Sequence, residues 1–143
     1  MSTHLDVCLA LHRAHASLQL KLDDALGTWH GIGFGDFALL DFLAQADGGR
    51  ASIPELVRPT GQGQSAVLRQ LIVLEKIGLV LRDGRNGRRE VVLLPAGSAL
   101  VNAARMTVDS ICSDAAESIA PTVLDTVCAA MNTLARAPAL ALP

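Results

Sequence analysis

The order of local signals between Ser52 and Leu94 limits the possible folds more than any other feature of this chain. Ser52-Ile53-Pro54-Glu55 is a capping box with proline early in the first turn, so a short helix opens there and runs to about Val57. Pro59 and Gly61 are expected to stop it. Residues 64–77 follow as a longer helix, with Val67, Leu71 and Leu74 at i, i+4 and i+7 and Gly78 just beyond the last turn. Leu79–Leu81 and Glu90–Leu94 are expected as two short strands, joined through the turn signals Asp83-Gly84 and Asn86-Gly87. Short helix, tight turn, longer helix, hairpin is an order in which the second helix can enter a DNA major groove while the first buttresses it.

Charge singles out the same segment. The chain carries 12 basic and 14 acidic residues, a net charge of −2. Residues 58–90 hold Arg58, Arg69, Lys76, Arg82, Arg85, Arg88 and Arg89 against Glu75, Asp83 and Glu90, a surplus of four positive charges. The remainder holds five basic residues and eleven acidic ones. A basic block inside an acidic protein suits a polyanion, although a solvated charged surface gives the same count. Gln62, Gln64, Ser65 and Arg69 lie at the start of the longer helix. Glutamine can pair bidentately with adenine, and arginine with guanine or phosphate. Arg85, Arg88 and Arg89 sit toward the hairpin tip, where they can reach phosphates or a narrow minor groove. Motif order and charge together favour duplex DNA.

The flanks are helical. Residues 3–27 place Leu5, Leu9, Ala16 and Leu20 on one side and Leu11, Leu18, Leu22 and Leu26 on another, with Gly27 as the expected end. A helix apolar on two sides needs more cover than its own small domain supplies. After Gly31, Gly33 and Gly35, Asp36 is placed to cap a helix over about 36–46. Residues 96–118 and 121–136 form two further helices, and the two prolines of the tail Ala137–Pro143 keep it from being helical. With no repeats and no linker, the expected organisation is one domain over 1–143.

Composition removes other classes. Half the chain is apolar, enough for a core, and no apolar stretch approaches the length of a membrane span. The N-terminus lacks a basic start followed by a long apolar run, so secretion is not expected. Three cysteines without paired spacing suit the reducing cytoplasm. No phosphate loop, nucleophile elbow or HExxH pattern appears, so neither catalysis nor a cofactor is expected.

The segment SIPELVRPTGQGQSAVLRQLIVLEKIGLVLRDGRNGRREVVLLPAG resembles the winged-helix core of the multiple antibiotic resistance regulator (MarR) family. Its most specific part is LEKIGLV followed by a basic wing and LLPAG, and LHRAHASLQLKLDDALG matches at the front. The resemblance covers nearly the whole chain. Two departures are Leu94, where a capping threonine is usual, and an altered spacing after Asp83-Gly84-Arg85. The resemblance implies a mostly α (α+β) fold, with a winged helix-turn-helix lobe over 34–94. Residues 1–30 and 96–143 would form the intertwined dimerisation helices. It implies a homodimeric DNA-binding regulator, read here as a repressor of a pseudo-palindromic operator. Gln62, Gln64, Ser65 and Arg69 fall on its recognition helix, and Arg85, Arg88 and Arg89 on its wing.

Control is expected to come from a small organic, aromatic anion. Trp29, His30, Phe34 and Phe37 cluster at the junction of the front helix and the DNA-binding lobe, as a ligand pocket or as local core. A redox alternative rests on Cys8, which resembles the reactive cysteine of peroxide-sensing members. Those members activate it with tyrosines, which this chain lacks; His12 could serve instead. His4, Cys8, His12 and His15 share one helical face, but a straight face rarely closes a tetrahedral metal site. Cys112 and Cys128 are expected to be core residues. A winged helix used only for protein contacts is the remaining alternative.

Overall fold

The computed structural model describes residues 1–84 and 89–136. Arg85 and Arg88 of the expected wing, and the tail from Ala137, lie outside the described residues. The chain divides into two compact units, residues 1–112 and 113–143.

The first unit opens with α1 (His4–His30). Thr3 caps it: its Oγ1 accepts the Asp6 N–H at 3.1 Å, and the Asp6 carboxylate accepts the Thr3 N–H at 2.9 Å. These bonds to Thr3, the backbone one first, hold the Asp6 carboxyl below its ordinary value. The helix does not stop at Gly27. It runs on to Gly31, which takes the left-handed conformation (φ 71°) that ends it. Between the two glycines, Trp29 and His30 complete a last turn.

Helix α2 (Phe34–Gln45) begins two residues earlier than Asp36 alone suggests. Asp36 still caps it, but from inside the first turn, accepting the Gly33 N–H at 3.0 Å. Asp23 of α1 accepts the Phe34 N–H at 2.7 Å and joins the two helices. A 3₁₀ turn (Asp47–Gly49) leads into β1 (Arg50–Ser52). Helix α3 (Ile53–Thr60) follows, opened by the expected Ser52/Glu55 box. Pro59 lies within it, and Gly61, at φ 66°, ends it. Helix α4 (Gln64–Lys76) then leads to β2 (Val80–Asp83) and β3 (Glu90–Leu93).

The strands form one antiparallel sheet in the order β1-β3-β2. Leu81 pairs with Val92, and Ala51 with Val91. The third strand, β1, is absent from the sequence reading: three residues are too few to show an alternation. Helix α5 (Pro95–Ala115) leaves the sheet. The core gathers Leu22 and Leu26 of α1, Leu39, Leu40 and Leu43 of α2, and Leu56 of α3. It also takes Val67, Leu71 and Leu74 of α4, with Val80, Val91 and Val101. Each such side chain contributes about 1.5–3 kcal/mol on removal from water.

Gly97 marks the tightest crossing. A Cβ there would stand 2.2 Å from the Leu79 carbonyl oxygen and 2.7 Å from Leu93 Cδ1. That same carbonyl accepts the Leu94 N–H at 3.0 Å, so it is not free to move aside. Gly97→Ala is therefore expected to lower stability by about 1–3 kcal/mol despite the better helix propensity of alanine. Urea unfolding checks this, and an unchanged midpoint would show that α5 can slide off the sheet.

The second unit contains α6 (Pro121–Ala135). None of its residues is buried. Cys128, expected in a core, is exposed there, since an apolar face is a core only when something covers it. Cys112, by contrast, packs against the first unit's core, and burial, followed by the nearby Asp109 charge, pushes its thiol upward. Among the described residues no helix is long and apolar enough to cross a membrane.

Candidate nucleic-acid interface and effector cleft

Helices α3 and α4 meet through a turn built by Thr60, Gly61, Gln62 and Gly63. The Thr60 hydroxyl donates to the Val57 carbonyl at 2.7 Å and accepts the Gln62 N–H at 3.2 Å. Gly63 stands at the N-cap of α4 and supplies no side-chain cap, and the first turn of α4 holds no acidic residue. The opening N–H groups and the positive end of the helix dipole therefore meet no protein anion there.

The two faces of α4 differ sharply. Val67, Leu71 and Leu74 are buried. Ser65, Arg69 and Lys76, at i, i+4 and i+11, lie on one side of the helix, and all three are exposed. Gln62 and Gln64 are exposed at its entrance. Gln70 anchors the helix from the side, its Nε2 donating to Asp36 Oδ1 of α2 at 2.8 Å.

The basic residues sort into two groups. Arg82 is committed internally: its Nε donates to Glu75 Oε2 at 2.6 Å, tying β2 to α4. That bond holds the Glu75 carboxyl below its ordinary value. Arg50 pairs with Glu90 at 3.4 Å across the sheet. Arg58, Arg69, Lys76 and Arg89 are exposed and make no ion pair among the described residues. Among the described residues, those four are the cations the lobe can offer to a ligand.

A cleft of about 500 Å³ opens between α1, α2 and the α3–α4 turn. Phe34, Ala38, Leu39 and Phe42 supply its apolar wall from α2, and Leu56 and Pro59 continue it from α3. Its polar wall comes from His15 and Gln19 of α1, Asp41 and Gln45 of α2, and Gln62 and Gln70. Asp41 is ion-paired to Arg105 of α5. Such a volume with apolar walls and a few polar groups is that of a small-molecule site.

The structure separates the four residues expected to make a pocket. Only Phe34 lines the cleft. Phe37 is buried in the core, its ring stacked 6.2 Å from that of Phe34. His30 Nε2 and Thr107 Oγ1 share a 2.8 Å hydrogen bond, fixing α1 to α5. Trp29 is 76% exposed, beside Met106 on an open part of the surface. These residues are near one another in sequence, but Trp29 and His30 lie on the last turn of α1 and Phe34 and Phe37 on the first turns of α2, and they point different ways.

Cys8 is exposed on α1. Among the described residues no three histidine, cysteine, aspartate or glutamate side chains are grouped to hold a metal ion, so His4, Cys8, His12 and His15 make no such set. The sequence reading did not find Gln19, Gln45 and Gln70. They come from three separate helices and leave no local pattern to find.

This is a winged helix-turn-helix lobe joined to long helices, and comparison with solved structures identifies its variety. CouR from Rhodococcus jostii RHA1, bound to p-coumaroyl-CoA, matches with a TM-score of 0.84 at 21% identity, over 94% of this chain and 95% of its own. Sco3205, a MarR family transcriptional regulator from Streptomyces coelicolor in complex with DNA, matches at 0.81 and 20% identity, over 94% and 88%. NadR in complex with 4-hydroxyphenylacetate matches at 0.81 and 20%, over 96% and 98%. No protein-family model matches the sequence, and no curated protein matches it. The chain thus has the fold of the MarR family regulators, as its sequence motifs imply.

Proposed function

We propose that this chain is a ligand-responsive, DNA-binding transcriptional regulator that acts as a homodimer. The observation that carries the reading is α4 itself. It has an N-terminus with no side-chain cap or first-turn acid, and an exposed face bearing Ser65, Arg69 and Lys76. Gln62, Gln64, Ser65 and Arg69 address base edges and the phosphates beside them. Arg89, with Arg85 and Arg88 of the wing, addresses the backbone. A fold shared with a regulator crystallised on DNA supports the assignment.

Residues 34–94 form the DNA-binding lobe, and 1–30 with 96–143 form the dimerisation region. The exposed apolar residues Leu5, Leu9 and Leu20 of α1, and Val123, Val127 and Leu134 of α6, support a partner subunit as their cover. Two lobes related by a twofold axis read a pseudo-palindrome, and the dimer represses by occupying it. The effector enters the cleft beside the α3–α4 turn and shifts the dimer away from its DNA-ready form.

A gel shift on the DNA upstream of the chain's own coding sequence tests this. The expected result is a retarded band that weakens steeply between about 50 and 200 mM salt. No retardation at the lower salt sinks the DNA assignment and leaves a protein-contact module. Peroxide is added in a parallel lane. Release from the parent protein but not from Cys8→Ser would move control from the cleft to that thiol.

A further inference from the structure

The walls of the cleft define what can enter it. Among the described residues, none that lines it is a lysine or arginine. The one carboxylate in the wall, Asp41, is already matched by Arg105. An organic anion would leave water for a largely apolar slot that offers no unpaired guanidinium or ammonium. A cation would gain Asp41 only by displacing Arg105. Both ions lose more hydration than the slot returns. Among the described residues, His15 is the only ionisable base in the lining.

The remaining polar groups are carboxamides. The side chains of Gln19, Gln45 and Gln62 make no hydrogen bond among the described residues. Gln70 spends an N–H on Asp36, which leaves its carbonyl oxygen available. Each carboxamide presents both donors and an acceptor. Phe34 and Phe42 provide apolar, ring-bearing walls.

Resting on the cleft as the effector site of the proposed regulator, we propose that its ligand is an uncharged aromatic amide or similar hydrogen-bonding heterocycle, not an organic anion. Gln62 is the route to the DNA. It lines the cleft and also stands at the entrance of α4, so an amide that holds its side chain removes it from the base edge. Occupancy and DNA reading compete for one residue.

The test uses three probes of one shape: 2-naphthamide, 2-naphthoate and 2-naphthamidine, titrated by calorimetry into the full-length protein. The amide is expected to bind at least about tenfold more tightly than the carboxylate or the amidine. Gln45→Arg places a cation in the wall and is expected to reverse the order of amide and carboxylate. Its melting temperature, compared with the parent's, shows that it is folded. Tightest binding by the carboxylate or the amidine, or no binding by any of the three, overturns the proposal. So does a folded Gln45→Arg protein that still prefers the amide. Gel shifts with the same probes separate this from the regulator assignment. Amide binding without any DNA retardation leaves the cleft chemistry standing and sinks the regulator. DNA release by the carboxylate alone does the reverse.

Discussion

Arg69→Ala binds its operator about tenfold or more weakly, yet binds a scrambled duplex of equal length almost as well as the parent protein does. That difference is the expected mark of a base contact, which is worth about 1–3 kcal/mol of discrimination against the wrong base. Arg69 sits one turn into α4 on the face opposite Val67 and Leu71, with no ion pair to hold it elsewhere. Arg89→Ala should behave differently, because a wing arginine on phosphate carries no sequence information. It weakens both duplexes alike. Losing one such contact from each protomer flattens the plot of log affinity against log salt by about 1.8. Lys21→Ala, which removes a charge of the same sign from α1, is the control and leaves that slope unchanged. Fluorescence anisotropy across several salt concentrations separates the three. Equal losses on operator and scrambled DNA for Arg69→Ala would move that residue from the bases to the backbone. Unchanged affinity in both arginine variants would remove this face as the DNA surface.

Local signals carried the DNA-binding lobe and little of the cleft. The Ser52/Glu55 box, the spacing of Val67, Leu71 and Leu74, and the basic hairpin each depend on residues within a turn or two. Each therefore shows in the sequence, and the box, the buried face of α4 and the two paired strands of the hairpin reappear in the structure. The end of α1 was expected at Gly27 and falls at Gly31, a helix stop that the sequence permits equally. What favours the later stop is non-local: Ile32, just past the Gly31 cap, is buried in the core, and His30 shares a hydrogen bond with Thr107 of α5. The cleft depends on such contacts entirely. Gln19, Gln45, Gln62 and Gln70 are separated by 26, 17 and 8 positions in the chain, and only packing makes them neighbours. Trp29 and Phe37, which composition marks as pocket residues, went to the surface and the core respectively. Aromatic residues announce themselves in a sequence; amides lining a wall do not.

Val123→Asp combined with Val127→Asp is expected to yield a monomer that has lost about a hundredfold or more of its operator affinity. The physical argument begins with α6 in isolation. A 15-residue helix is marginal in water, and this one buries no side chain within its own subunit. Val123, Leu124, Val127, Met131 and Leu134 nonetheless fall within an arc of about 100°. Four of the five are exposed in the subunit, and Met131 is half-buried. An apolar stripe of that regularity stabilises a helix only when another surface covers it, and a second copy of the chain supplies such a surface by symmetry. Two carboxylates on the stripe face their own symmetry mates or an apolar partner, and both are unfavourable. The loss on DNA follows from valency rather than from any lost DNA contact. Two linked lobes bind with an effective local concentration that multiplies affinity by about 10²–10⁴, and a monomer has only one lobe. Its α4 is untouched, so it should still protect a single half-site at high protein concentration. Sedimentation velocity gives the oligomeric state, footprinting gives the half-site, and circular dichroism shows whether the first unit remains folded. A parent protein that sediments as a monomer, or a folded double variant that stays paired and holds both half-sites, would take α6 out of the interface.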